Sequence, residues 1–149
     1  MQERRIQTIL VPTDFSEGAG RALAWARTLA QAFRAEIVVL HVLELPLTWT
    51  PLGGLGSIPT PLSTESVEQL TNEAQAILET VARDAPEVTR RLLRKGHPRE
   101  VILAVVQEVG AGAVVMGTHG RRGVSHLLIG SVAEHVVRHS PVPVWTVRE

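Results

Sequence analysis

Apolar residues along this 149-residue chain alternate between short continuous runs and runs spaced three and four apart. Ile6 and Thr8 through Val11 form the first continuous run, which ends at Pro12. It is too short for a helix and reads as a buried strand. Ala19, Ala22, Ala26, Leu29, Ala30 and Phe33 then recur at helical spacing, and Glu36 to Leu43 forms a second strand. Val67, Leu70, Ala74, Ile77, Leu78 and Val81 repeat the helical period until Pro86 stops it. Val88 to Leu93 is a third strand, less clear because charged residues interrupt it. Pro98 suits a helix start, and Val101, Ile102, Val105 and Val109 supply its apolar face until Gly110 and Gly112. Ala113 to Met116 is the fourth strand. A last helix spans about Gly130 to His139, stopped by Pro141, and Val142 to Val147 is the fifth strand. Strands alternating with helices in this way predict an α/β fold with a parallel sheet.

The stretch from Glu44 to Ser63 breaks the rhythm. It holds Pro46, Pro51, Pro59, Pro61, Gly53, Gly54 and Gly56, and reads as an irregular, flexible excursion, longer than most loops in compact domains. It leaves the second strand at its carboxyl end. Two readings stay open there: a lid that closes over a ligand with Trp49 as a contact, or a mobile loop without a role.

Length and composition narrow the function classes. The chain suits one domain, residues 1–149, and is short for two. Lys plus Arg and Asp plus Glu both total 15, so no net field recruits nucleic acid, and an aromatic content of 3% offers bases no stacking platform. The absence of cysteine removes disulfides, thiolate chemistry and Cys-based zinc sites. No segment approaches a membrane span, and the start at Met1 carries no apolar leader pattern, so the expected location is cytoplasmic. Lys95 is the single lysine, which excludes a Walker A loop.

Candidate chemistry gathers after the fourth strand. Gly117-Thr118-His119-Gly120, nine residues, then Gly130-Ser131, follows an apolar strand and opens a helix. Glycines there let backbone N–H groups converge without side-chain obstruction, and a helix start adds free N–H groups and a positive dipole end, which suits a phosphate. The plainer alternative is a turn at Gly117 and Gly120 and a helix start capped by Ser131.

This pattern resembles the nucleotide-binding signature of the ATP-binding branch of the universal stress protein family. A second segment, Val11-Pro12-Thr13-Asp14-Phe15-Ser16, closes the first strand as it does in that family. The resemblance implies an open five-stranded parallel sheet of order 3-2-1-4-5 with helices on both faces, of the adenine-nucleotide alpha-hydrolase-like type. Such an order puts a switch point between strands 1 and 4, where ligands bind beyond the carboxyl ends. It further implies that Pro12, Thr13 and Asp14 line the nucleoside side and that Val42, after His41, contacts adenine. Met116 and Gly117 correspond to the strand end near the ribose. Gly120, Arg121 and Arg122, with Gly130, Ser131 and Val132, correspond to the phosphate cradle. The implied ligand is ATP, with AMP and ADP as alternatives, accompanied by Mg²⁺. The implied assembly is a homodimer through the C-terminal strand around Val144, Trp145 and Val147. Pro143 agrees with an edge position for that strand, because it cannot donate to a ladder.

Within this frame Asp14 is either a ribose or Mg²⁺-water partner or a helix cap in competition with Ser16. Arg121 and Arg122 could offset phosphate charge or stay solvated. His135 and His139 are spaced i, i+4, without a third ligand or a His-Glu-x-x-His motif. His119 is a catalytic suspect without an assigned base role. Gly123-Val124-Ser125 fails as a nucleophile elbow because Leu127 replaces the second glycine. No paired carboxylates or positioned base can be assigned. The expected function is a nucleotide-dependent stress-response module rather than an enzyme. The alternatives are a dimeric interaction protein that binds no nucleotide and a slow nucleotide hydrolase.

Overall fold

The computed structural model describes residues 5–119 and 129–148. In chain order its strands are β1 (Thr8–Pro12), β2 (Glu36–Leu43), β3 (Thr48–Pro51), β4 (Ser57–Thr60), β5 (Val88–Lys95), β6 (Ala113–Gly117) and β7 (Val144–Val147). The helices are α1 (Glu17–Phe33), α2 (Thr64–Thr80), α3 (Pro98–Glu108) and α4 (Ser131–His139). Five strands form one parallel sheet in the order β5-β2-β1-β6-β7. With the β3–β4 pair set aside, this is the expected order 3-2-1-4-5.

Period-2 alternation divides the core between the two faces of the sheet. Ile9 and Val11 of β1, Ile37 and Val39 of β2 and Val115 of β6 pack with Ala22, Ala26 and Ala30 of α1 and Leu78 of α2. Leu10, Val38, Leu40, Val114 and Met116 face the other way, onto Ile102, Val105 and Val106 of α3 and Ala133 and Val136 of α4. The alanine stripe lets α1 lie close to the sheet. Because β1, β2 and β6 are buried on both faces, their sequences read as continuous apolar runs.

Edge strands follow different rules. β5 alternates arginines and threonine with Val88, Leu92 and Leu93, and it extends to Lys95, past the expected end at Leu93. Its charges are those of an edge strand whose outer side meets water. The other edge, β7, is shorter than expected and begins at Val144, with the Pro143 carbonyl accepting from the Val114 amide at 2.9 Å. On α1, Phe33 departs from the inward face of the sequence reading: it is 46% exposed and sits 6.5 Å from Trp145, ring centre to ring centre.

The Glu44 to Ser63 stretch is not irregular throughout. β3 and β4 pair antiparallel, with Trp49 opposite Pro59 and Thr50 opposite Ile58, around a 3₁₀ turn at Gly53–Leu55. Gly53 and Gly56 take positive φ (63° and 96°), which that turn demands. Thr50 and Thr60 hydroxyls meet at 2.8 Å across the pair. Pro51, Pro59, Gly53, Gly54 and Gly56, among the residues that suggested a structureless loop, are turn and strand residues of this hairpin, while Pro46 and Pro61 flank it.

Candidate functional site

β1 and β6 are neighbours whose next connections run to opposite sides, so a crevice opens beyond their carboxyl ends. The β1 side is a tightly bonded turn. The Thr13 amide donates to the Leu40 carbonyl at 2.8 Å, the Thr13 hydroxyl accepts from the Phe15 amide at 3.1 Å, and Asp14 Oδ1 accepts from the Ser16 amide at 3.0 Å. Ser16 then caps α1, its hydroxyl accepting from the Ala19 amide at 3.2 Å. The competition between Asp14 and Ser16 for the cap is therefore resolved: Ser16 caps the helix and Asp14 closes the turn before it. Phe15 takes φ of 64°, an uncommon conformation for a bulky residue.

Across the crevice, Gly117 ends β6 directly against the start of α1. A Cβ on Gly117 would lie 3.2 Å from the backbone carbon and oxygen of Gly18. Thr118 is buried and joins three segments: its amide donates to the Val147 carbonyl at 3.0 Å, its carbonyl accepts from the Gly130 amide at 2.6 Å, and its hydroxyl meets His119 Nδ1 at 3.0 Å. Sequence reasoning passed over Thr118, whose role depends on β7 and α4 arriving beside it. His119 Nε2 is buried and makes no hydrogen bond among the described residues.

Gly130 is the N-cap of α4 and has no side chain to cap it, and no side chain among the described residues does so. First-turn amides of any helix lack intrahelical acceptors, so those of Ser131, Val132 and Ala133 face the crevice end of α4 with the positive end of its dipole. A Cβ on Gly130 would stand 2.9 Å from the Thr118 carbonyl oxygen. Ser131 is exposed, while Val132 packs partly on the α3/α4 side of the core. Val42 is half-buried on that same side. Met116 is buried within the core, which leaves its backbone rather than its side chain toward the strand end.

Pro12, Thr13, Asp14, Met116, Gly117, Gly130, Ser131 and Val132 thus gather at the ends of β1 and β6 and the start of α4. Val42 lies two residues beyond Leu40, the partner of Pro12 on β2. Gly120, Arg121 and Arg122 lie outside the described residues, as does Gly123 to Leu127. His135 and His139 are not arranged as converging ligands: their rings stack at 4.2 Å, and His139 Nδ1 donates to the His135 carbonyl at 2.8 Å. Among the described residues no three His, Cys, Asp or Glu side chains gather to hold a metal ion, and no helix is long and apolar enough to cross a membrane.

Comparison with known proteins agrees with this architecture. The model of the universal stress protein family matches residues 5–148. A universal stress protein of Thermus aquaticus is 34% identical over 147 residues, covering 95% of this chain and 98% of its own. Universal stress protein MJ0577 of Methanocaldococcus jannaschii is 28% identical over 94% of this chain and 93% of its own. Its solved structure superposes with a TM-score of 0.74 over 97% of both chains. A universal stress protein from Archaeoglobus fulgidus, solved in complex with dAMP, shares the fold at 24% identity, with a TM-score of 0.61 over 97% of this chain and 99% of that one. With a doubly wound sheet of the same topology and a match over nearly its whole length, this chain belongs to the universal stress protein family.

Proposed function

We propose that this protein is an adenine-nucleotide-binding module whose occupancy sets a conformational or partner-binding state in a cytoplasmic stress response. The observation that carries the reading is the start of α4: the helix opens behind Gly130, an N-cap without a side chain, beyond the carboxyl end of β6 beside the switch point. Amides and dipole there suit a phosphate, and the β1 turn suits the sugar side of a nucleotide. The dAMP bound by the Archaeoglobus fulgidus protein supports an adenine nucleotide as the ligand class.

Pro12, Thr13 and Asp14 would line the nucleoside side, Val42 an apolar wall, Met116 and Gly117 the floor through their backbone, and Gly130, Ser131 and Val132 the phosphate side. Gly120, Arg121 and Arg122 complete the proposed cradle. Bound Mg²⁺ would take most of its ligands from phosphate and water, with Asp14 as the nearby carboxylate, since no preformed cluster of three ligating side chains occurs among the described residues. The role is binding, with any hydrolysis slow, because no paired carboxylates or lysine are assigned to the site.

The proposed assembly is a homodimer through β7. Pro143 and Val147 turn their carbonyls toward β6 and its continuation, so alternation turns the N–H and C=O groups of Val144 and Thr146 toward the open edge. Trp145 is 37% exposed beside Phe33. An edge of this kind needs cover, and a second β7 in antiparallel register supplies it with self-complementary surface.

Native mass spectrometry of gently purified protein tests the central reading by detecting a retained nucleotide, and calorimetric titration with AMP, ADP and ATP, with and without Mg²⁺, ranks the ligands. No retained nucleotide together with no titratable binding would favour the dimeric interaction protein that works without nucleotide.

A further inference from the structure

β2 contributes a side chain to the crevice that the reading above leaves without a role. His41 Nδ1 lies 2.8 Å from the Thr13 carbonyl oxygen. Since a carbonyl only accepts, Nδ1 carries the proton and donates. The same imidazole stacks on Phe15 with ring centres 4.2 Å apart and planes 26° from parallel. Alternation along β2 sends Val42 to the α3/α4 face and His41 to the Phe15 face.

Phe15 is the residue held at φ 64°, where a bulky side chain is unfavourable without outside support. Its turn is tied to β2 at two successive residues, Leu40 through the Thr13 amide and His41 through the Thr13 carbonyl. One ring thus supplies both the hydrogen bond that fixes the peptide before Asp14 and the stacking surface for the residue after it. No other side chain among those described combines these two contacts to the turn.

We propose that His41 is a positioning residue: it clamps the Thr13–Phe15 turn onto β2 and so sets where the Asp14 wall stands relative to the opposite side of the crevice. The consequence for ligand affinity rests on the nucleotide-binding reading; the clamp itself does not.

Two variants separate the contacts. His41→Phe keeps a ring to stack and removes the donor, while His41→Asn keeps a donor and removes the ring. Hydrogen exchange at the Phe15 and Ser16 amides reads the turn without any ligand, and AMP affinity by calorimetry reads the site. Both variants should speed exchange at these two amides about tenfold relative to amides of the β1 core, and each should weaken AMP by about tenfold, the scale of one lost hydrogen bond. Unchanged exchange at Phe15 and Ser16 in folded His41→Phe overturns the clamp. Faster exchange with unchanged AMP affinity overturns its positioning role, whereas a wild-type protein that binds no AMP, ADP or ATP refutes the nucleotide reading and leaves the exchange result to decide the clamp. Should either variant fail to fold, imidazole ¹⁵N shifts of the wild type serve instead: a protonated Nδ1 is expected, and an unprotonated Nδ1 overturns the proposal.

Discussion

The Gly130 amide donates to the Thr118 carbonyl at 2.6 Å, and the same oxygen is the atom that any Cβ on residue 130 would strike. Glycine is therefore required at position 130 by the protein's own backbone, before any ligand is considered. Gly130→Ala should force the Thr118 peptide and the α4 start apart, at a cost of about 1–3 kcal/mol typical of overpacking, and should weaken nucleotide binding as well. Gly20, inside α1 with nothing within 4 Å of its missing Cβ, is the control. Gly20→Ala should stabilise the fold by roughly 0.5–1 kcal/mol through helix propensity. Thermal melts of the two variants check the pair, and equal, small effects in both would refute the contact argument.

Asp14→Asn isolates charge from turn geometry. An asparagine Oδ1 can still accept from the Ser16 amide, as the carboxylate does at 3.0 Å. Thermal stability should hardly move, while affinity for ATP with Mg²⁺ should fall by about 1–2 kcal/mol if the carboxylate contacts ribose or metal-bound water. Unchanged affinity in the folded variant would assign Asp14 to the turn alone.

Val144→Pro removes an outward-facing N–H of β7 while the inward-facing carbonyls of Pro143 and Val147 stay in place. The expected result is a dimer at micromolar concentration for the wild type and a monomer for the variant, read by light scattering. A wild-type monomer under the same conditions would end the β7 dimer model.

Stability should fall in two steps as the solution is acidified. Burial first, then the neighbouring charges of His139 and Arg99, lower the His135 pKa below its ordinary 6.5, with Glu100 opposing. A lowered folded-state pKa means the unfolded chain takes the proton first, so His135 contributes fully above pH 6.5 and loses that contribution as pH falls through its folded value. Glu36 is lowered from 4.5 mainly by the Thr89 hydroxyl, with further help from Thr8 and Arg90 against the opposing effect of burial. Glu87 is lowered chiefly by the Gln31 amide. Both carboxylates contribute above pH 4.5 and lose that contribution below it. His135→Gln should flatten the upper step and leave the lower one. Melting curves from pH 8 to 3 provide the check, and an upper step unchanged in His135→Gln would show that another group titrates there.

Much of this architecture was legible along the chain because the central strands are buried on both faces. Runs such as Leu10-Val11 and Ile37 to Leu40 can be stable only in a sheet covered by helices, and the glycine pattern after β6 marks a close backbone approach whatever passes there. The hairpin of β3 and β4 was not legible. Proline and glycine mark a turn, but whether the segments beside it pair depends on register across the turn, which Trp49 opposite Pro59 reveals only in three dimensions. The orientation of Phe33 likewise depends on where β7 ends up, since helical spacing alone places it beside Ala30 and Ala26. Local periodicity therefore determined the helices and the strands of the main sheet, their class and the candidate loop. Tertiary structure alone decided what each glycine touches, that Ser16 rather than Asp14 caps α1, and that His41 and Thr118 tie the turn and the loop to strands distant in sequence. The ties made by His41 and Thr118 join residues separated by about 12 to 29 positions, and no spacing rule along a single chain encodes them.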